Sequence, residues 1–395
     1  ELQGADFKKL TAGATDPTVI LQESIIKDFE EYKKALSSPN NILGIEYLKA
    51  LKKYNSSIKP VCISRFATDY NSTDLSKIDI PTSDCNIENC NLKTFASATA
   101  IRELIPSGFA IHSTQKAEFD LSNLRCANYV NINRAYLSIG TLGGGNHFIE
   151  IDYSQRTQRY YLVIHSGSRK LGGDVCRYYQ NLAEKVEIRN TISRLKADGR
   201  EHEIQETIRK IPHDYKDKEL LHLSGDNFSD YLNDMKIVQQ FATLNRAIIA
   251  NIIIEAVGFT EVNRFETIHN YIDLSRMILR KGAVSAELGE RLLIPINMRD
   301  GSLICIGKGN PDWNYSAPHG AGRACSRSDA RHAYDIETYK AVMDESGVYS
   351  TTVTKETLDE CPMAYKSPER ILPYLTECIK VTDHLKPIYN FKAAE

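Results

Sequence analysis

One short segment constrains this chain more than any other: Ser316-Ala-Pro-His-Gly-Ala-Gly-Arg-Ala-Cys-Ser-Arg327. Pro318, Gly320 and Gly322 exclude it from a helix interior or a central strand, so it reads as a turn. His319 stands at the mouth of a Gly-Ala-Gly turn whose backbone amides can cradle a phosphate. Arg323 and Arg327 lie four apart. On a helix following the turn they would share a face and clamp further phosphates. A histidine at a phosphate nest can act as a nucleophile and form a phosphoramidate. The segment is not a Walker A loop, which needs Gly-Lys followed by Ser or Thr.

Three other segments carry residues of the same kind. Gly140-Thr-Leu-Gly-Gly-Gly-Asn-His-Phe-Ile-Glu150 has three consecutive glycines, which let backbone approach a ligand or take positive φ. In an extended stretch Asn146, Phe148 and Glu150 point one way and His147 the other. A tight turn entering a strand explains the same pattern. Ile164-His-Ser-Gly-Ser-Arg169 delivers His165 to the end of an apolar run, with Arg169 beside small residues as a phosphate seat or a solvated loop. Ile268-His269-Asn270 precedes a run that reads as helical. Imidazoles at 147, 165 and 269 suit zinc, manganese, iron or nickel, but their spacing matches no zinc finger.

The organisation is mixed. Helical periodicity covers 17–36, 42–51, 96–104, about 174–196, 228–257 and about 367–380, the last followed by a tail. On 228–257 the apolar face reads as Phe228, Tyr231, Leu232, Met235, Val238, Phe241 and Ile248. Short β-like runs fall at 58–63, 148–151, 160–164 and 303–306. Residues 70–94 read as a polar loop. This is an α+β reading rather than a regular βαβ alternation. A chain of 395 residues suggests two domains, and the composition shifts at Ile105-Pro106-Ser107-Gly108. Lys and Arg number 49 against 51 Asp and Glu, which excludes a basic nucleic-acid coat. Nine cysteines without a C-x-x-C pair, and no signal peptide, favour a reducing cytoplasm. The most apolar stretch, 248–257, is too short to span a bilayer, so no membrane association is expected.

Taken in order, GTLGGGNHF, HSGSR, HN, RKGAVSA and SAPHGAGR…SR resemble the signatures of the RtcB family of RNA ligases, over about 105–395. The resemblance implies a mixed α/β catalytic domain. It also implies ligation of an RNA 3′-phosphate or 2′,3′-cyclic phosphate to a 5′-hydroxyl, with GTP and manganese (Mn2+) as cofactors. The RNA would be tRNA halves or broken ends, with no membrane partner and any protein activation factor unknown. By position, His319 would be the guanylylated nucleophile, and His147, His165 and His269 manganese ligands. Asn146, Phe148, Glu150, Asn297, Ser302, Gly320, Ala321, Gly322, Tyr365 and Lys392 would surround the guanine nucleotide. Arg169, Arg323 and Arg327 would hold RNA phosphates. Asn297 stands where the family commonly has Ser. The family's Asp-x-x-Cys metal segment has no counterpart; Cys85 follows Asp84 directly.

Residues 1–104 resemble something else. Pro39-Asn-Asn-Ile-Leu-Gly-Ile-Glu-Tyr-Leu-Lys-Ala-Leu51 and Phe95-Ala-Ser-Ala-Thr-Ala-Ile-Arg102 are similar to bacterial tRNA-Met cytidine acetate ligases, which use ATP on a nucleotidyltransferase fold. That resemblance implies a mostly helical fragment, without the family's H-x-G-H-type motif, joined at 104/105 to a ligase domain lacking its N-terminal metal segment. Three readings stay open: an RNA ligase, an ATP-dependent tRNA-modifying ligase, and a decayed protein that binds GTP or RNA ends.

Overall fold

The computed structural model describes residues 104–210 and 221–393. They fall within the second of the two units into which the chain divides, 100–395. The sequence readings for 17–36, 42–51, 58–63, 70–94 and, apart from Leu104, 96–104 lie outside the described residues.

Nine strands make two sheets among the described residues. The larger has the order β2-β1-β9-β6-β5, from β1 (Phe148–Ser154), β2 (Arg159–His165), β5 (Arg291–Asn297), β6 (Gly301–Gly307) and β9 (Ile379–Lys392). A short β8 (Tyr349–Ser350) runs parallel to β9. The smaller sheet has the order β3-β4-β7, from β3 (His269–Asp273), β4 (Ile278–Ser285) and β7 (Ser316–Pro318). The strands expected at 148–151, 160–164 and 303–306 are present and longer.

Two corrections concern the rear half. The helix expected over 367–380 is shorter, Pro368–Leu375, and the expected tail is β9, the middle strand of the sheet. Pro373 and the apolar pair Cys378-Ile379 end the helical run, and Leu385, Tyr389 and Phe391 are buried from β9. The run after His269 is a strand, not a helix. It pairs with β4 from His269 to Asp273, and a turn capped by the Asp273 carboxylate reverses the chain.

The helices follow the same economy. We number them α1 (Ile132–Ser138), α2 (Arg169–Ala197), α3 (Ile204–Lys210), α4 (Gly225–Val257), α5 (Arg327–Ala333), α6 (Ile336–Ser346) and α7 (Pro368–Leu375). One core gathers Leu171, Val175 and Tyr179 of α2 with Ile237, Val238 and Phe241 of α4. A second fills the space beside β5 and β6 with Leu292, Ile294, Leu303 and Cys305. A third sits under α6, around Tyr339 and Met343.

By length and composition α4 could cross a membrane. In this structure it packs along α2, and its buried stripe is turned from the one expected. The stripe runs Asp234, Ile237, Val238, Phe241, Asn245, Ile249 and Ile253, while Phe228 is exposed. The rotation follows from two polar residues inside it. Asp234 accepts the amides of Arg125 and Cys126 and the Tyr179 hydroxyl. Asn245 performs the corresponding task for two loops of the site. Each loop brings buried amides that need partners.

Candidate functional site

The four histidines singled out by sequence come together at strand ends. His147 immediately precedes β1, His165 ends β2, His269 opens β3 and His319 follows β7. Their rings form a row. The centroid of His147 is 5.7 Å from that of His165, His165 is 5.2 Å from His269, and His269 stacks on His319 at 4.7 Å. Phe148 lies opposite both His165 on β2 and Lys392 on β9, so the row continues across the sheet.

Local hydrogen bonds set the tautomers. The Nδ1–H of His147 faces the Leu142 carbonyl at 2.7 Å, and that of His319 faces the Gly282 carbonyl at 2.7 Å. A carbonyl oxygen can only accept, so each Nδ1 carries a proton, and in the neutral ring the lone pair falls on Nε2. The Gly282 loop is itself pinned, because its amide donates to the Asn270 side chain at 2.7 Å. The His269-Asn270 pair therefore has two tasks: one side chain stacks on His319, and the next fixes the loop that orients it.

Burial keeps the imidazoles neutral. It pulls His147 down to about 4, aided by Arg169, Lys392 and His269 and opposed by the Leu142 carbonyl. His165 is held well below the usual range by burial and by its histidine neighbours. Burial and His319 bring His269 to about 4. Uncompensated cations stand beside them. Arg169 donates to the Thr141 hydroxyl and the Gly108 carbonyl, both at 2.7 Å, and among the described residues no carboxylate pairs with it. Burial and the neighbouring Arg134 lower it to about 10. Its backbone φ is +57°. Gly143, at φ +97°, admits no side chain, because a Cβ would collide with both the Arg169 guanidinium and the His147 ring.

In donor type these imidazoles suit a transition metal, and His269 Nδ1 is buried without a hydrogen-bond partner. As a set they are incomplete. Among the described residues no three His, Cys, Asp or Glu side chains are placed to hold one ion.

The arginines after His319 behave differently from expectation. Arg323 is not on a helix. It forms an isolated bridge with Tyr365, and α5 starts only at Arg327, because Ser326 caps it by accepting the Asp329 amide. Arg323 donates to the Cys325 and Asp359 carbonyls and pairs with Glu360 at 3.2 Å. Arg327 reaches Asp359 at 3.2 Å and Glu360 at 3.3 Å. Lys392 meets Glu360 at 2.7 Å, and the Tyr365 hydroxyl donates to the same carboxylate. Burial pushes Glu360 up, but Lys392, Tyr365 and Arg327 outweigh it and hold the carboxyl below its usual range. The charges of Arg323 and Arg327 are thus balanced by two buried acids that sequence reasoning missed.

The remaining expected residues divide. Glu150 is buried, accepts from the Asn390 amide, and is raised by burial, as is Asp152 beside it. Ser302 is buried with its hydroxyl unpartnered. Asn146 is exposed. Asn297 accepts the amides of Arg299 and Asp300 and donates to the Asp300 carboxylate, so its polar atoms close the β5–β6 turn. Gly320 borders the Pro295 carbonyl, Ala321 is buried and Gly322 has φ +70°.

Sequence reasoning also missed Asn245. Its side chain receives the amides of Gly140 and Thr141 and donates to the Thr141 carbonyl, the Ser166 hydroxyl and the Gly167 carbonyl. It ties the glycine-rich loop to the HSGSR loop. The adjacent Arg246 donates to the Ser166 carbonyl and pairs with Glu266. A polar residue in an otherwise apolar helical stripe was the available signal.

Comparison with known proteins adds the following. The family description "tRNA-splicing ligase RtcB" matches residues 90–393, and "HIGH Nucleotidyl Transferase" matches residues 4–136. The chain is 31% identical to the RNA-splicing ligase RtcB of Escherichia coli strain K12 over 281 residues, which is 67% of this chain and 63% of that protein. It is 26% identical to the tRNA-splicing ligase RtcB of Aeropyrum pernix over 313 residues, 66% of this chain and 60% of that protein. The match thus spans less than two thirds of the length of these relatives.

Proposed function

The chain belongs to the RtcB family of tRNA-splicing ligases, and from that premise we propose that it joins RNA ends through a guanylate held covalently on His319. The observation that carries this reading is the hydrogen bond from His319 Nδ1 to the Gly282 carbonyl, which places the lone pair of the neutral ring on Nε2. The Nε2 lone pair attacks the α-phosphorus of GTP. The bond from that phosphorus to the bridging oxygen breaks, and pyrophosphate leaves with the electron pair. The guanylate then passes to an RNA 3′-phosphate, and a 5′-hydroxyl displaces GMP from the activated end. A 2′,3′-cyclic phosphate end is opened to the 3′-phosphate first.

The chain's own groups support these steps. The stack of His269 on His319 fixes the plane of attack. Glu150 and Ser302 would offer buried polar atoms to guanine, and Lys392 lies against both the Phe148 and Tyr365 rings. Arg169 would be the cation for an RNA phosphate, with Arg323 and Arg327 held by Glu360 and Asp359. Manganese would draw on His147, His165 and His269 as neutral nitrogen donors, with further donors outside that set, and would offset phosphate charge.

The test is incubation with GTP labelled at the α-phosphate, with manganese, followed by denaturing electrophoresis. Labelled protein is expected for the native chain and none for His319→Ala. A labelled variant, or an unlabelled native chain, overturns the proposal and favours the decayed binder. A second reading has the match over 4–136 in its favour: a nucleotidyltransferase-like unit over 1–104 with ATP-dependent activity on tRNA-Met. Acetate- and ATP-dependent modification of that tRNA by the same protein checks it. Both activities would be exercised in the cytoplasm.

A further inference from the structure

Phe109 is 85% exposed, the highest value for any large hydrophobic side chain among the described residues. A lone exposed ring is ordinary on a protein surface. The backbone of this one is held by two groups that pair with no carboxylate among the described residues. Its loop is bound to the glycine-rich segment, with the Gly108 amide donating to Gly143 at 2.7 Å and the Leu142 amide to Pro106 at 2.9 Å. A turn closes it, from the Ala110 amide to the Ser107 carbonyl. Two guanidiniums hold the backbone next to the ring. Arg134 donates to the Phe109 carbonyl and Arg169 to the Gly108 carbonyl, each at 2.7 Å.

Arg134 and Arg169 are near enough to repel each other, since the charge of Arg134 disfavours the protonated form of Arg169. Among the described residues neither pairs with a carboxylate. Two like charges gathered without an acid call for an anion, and a rigid exposed ring beside them offers a flat apolar face. Together these are the two parts of a single-strand binding element, a cation for the backbone and an aromatic for the base. Gly143 is flanked by the Arg169 guanidinium and the His147 ring, so the cation end of this element borders the histidine row.

We propose that Phe109 is a stacking platform for the terminal nucleobase of an RNA end, with Arg134 and Arg169 holding the phosphate next to it. This rests on the RNA-ligase reading and extends it by a base-binding subsite. Stacking is sequence-tolerant, so the subsite accepts any base and discriminates against an end without one. Loss of one stacked base weakens binding by roughly 5- to 100-fold.

The experiment measures binding of the full chain to single-stranded RNA with a 3′-phosphate or 5′-hydroxyl end, each strand made intact and with an abasic terminal nucleotide. Phe109→Ala is expected to weaken binding of one intact strand about tenfold or more, and Phe109→Trp to restore it. The native chain should bind the abasic form of that strand as weakly as Phe109→Ala binds the intact one. Equal affinity of the native chain and Phe109→Ala for both intact strands overturns the platform. So does a loss that is the same for intact and abasic strands, which marks a structural or purely electrostatic role. Guanylate labelling of the native chain is read in parallel. Labelling with an unaltered Phe109→Ala leaves the ligase reading standing and removes the platform, whereas no labelling and no RNA binding removes both.

Discussion

Two regions of the molecule look alike in sequence, as basic or histidine-rich segments next to glycine turns, and they are built on opposite charge plans. Around the histidine row, burial disfavours the charged forms of His147, His165 and His269, backbone carbonyls accept from His147 and His319, and the nearby cations Arg169 and Arg134 lack acids among the described residues. Around Glu360, four cations (Arg323, Arg327, Arg331 and Lys392) and a hydroxyl converge on the buried carboxylates of Asp359 and Glu360, so each cation there has an acid partner. The difference separates residues left ready for an anionic ligand from residues committed to holding the fold. Arg169 belongs to the first group. Arg323 and Arg327, which sequence reasoning had given the same task, are paired with Asp359 and Glu360.

The contrast is most easily broken at Glu360. Glu360→Ala leaves Lys392 buried without its acid and takes one partner each from Arg323 and Arg327, which keep their contacts with Asp359. Denaturant unfolding should show a loss of about 3–5 kcal/mol. His319→Ala, in the other region, should change stability by no more than about 1 kcal/mol. Similar losses from both would mean that the two regions share one structural role.

Asn245 tests whether the histidine row depends on buried neutral hydrogen bonds rather than ion pairs. Asn245→Ala strands the Gly140 and Thr141 amides and is expected to cost about 2–3 kcal/mol. Because no charge is removed, the cost should be the same at low and high salt. A salt-dependent loss would contradict the assignment.

A titration probes the same comparison without changing a residue. The folded pKa values of His147 and His269 lie near 4, below the ordinary value of about 6.5 for an unfolded chain. Between those limits the unfolded state binds protons that the native state refuses. Stability of the metal-free protein is therefore full above about pH 6.5 and falls as pH drops toward 4, with a slope of at most about 1.4 kcal/mol per pH unit per histidine. Glu360 is lowered instead, so its contribution is present above the unfolded carboxyl pKa and lost at more acid pH. Unfolding followed from pH 7 to 3 should show the histidine loss first and the carboxylate loss after it.

Much of this was legible in the sequence, and what was not has physical reasons. The glycine turns and the four histidines could be read because few residue types tolerate those backbone and chemical demands. β1, β2 and β6 could be read because each holds a short run of aliphatic and aromatic residues bounded by turn residues. β9 was missed because its exposed positions carry Lys380, His384 and Lys386, and Pro387 interrupts its apolar residues, which resembles a loop. The stripe of α4 was misjudged because Asp234 and Asn245 count as polar, yet their buried partners make them interior residues. Asp359 and Glu360 were missed because an acid pair in a Thr- and Lys-rich stretch reads as solvated surface. Only the folded chain brings Arg323, Arg327 and Lys392 to them.

The strand order carries a consequence for how the protein is made. β1–β2 and β5–β6 are each local hairpins, but the only bridge between them is β9, synthesised after both. Until residues 379–392 have left the ribosome, the nascent chain holds two hairpins whose β9-facing edges are open to pairing with other chains. Assembly of the large sheet must therefore wait for this segment, and a message cut short before it would yield a chain with two unprotected sheet edges.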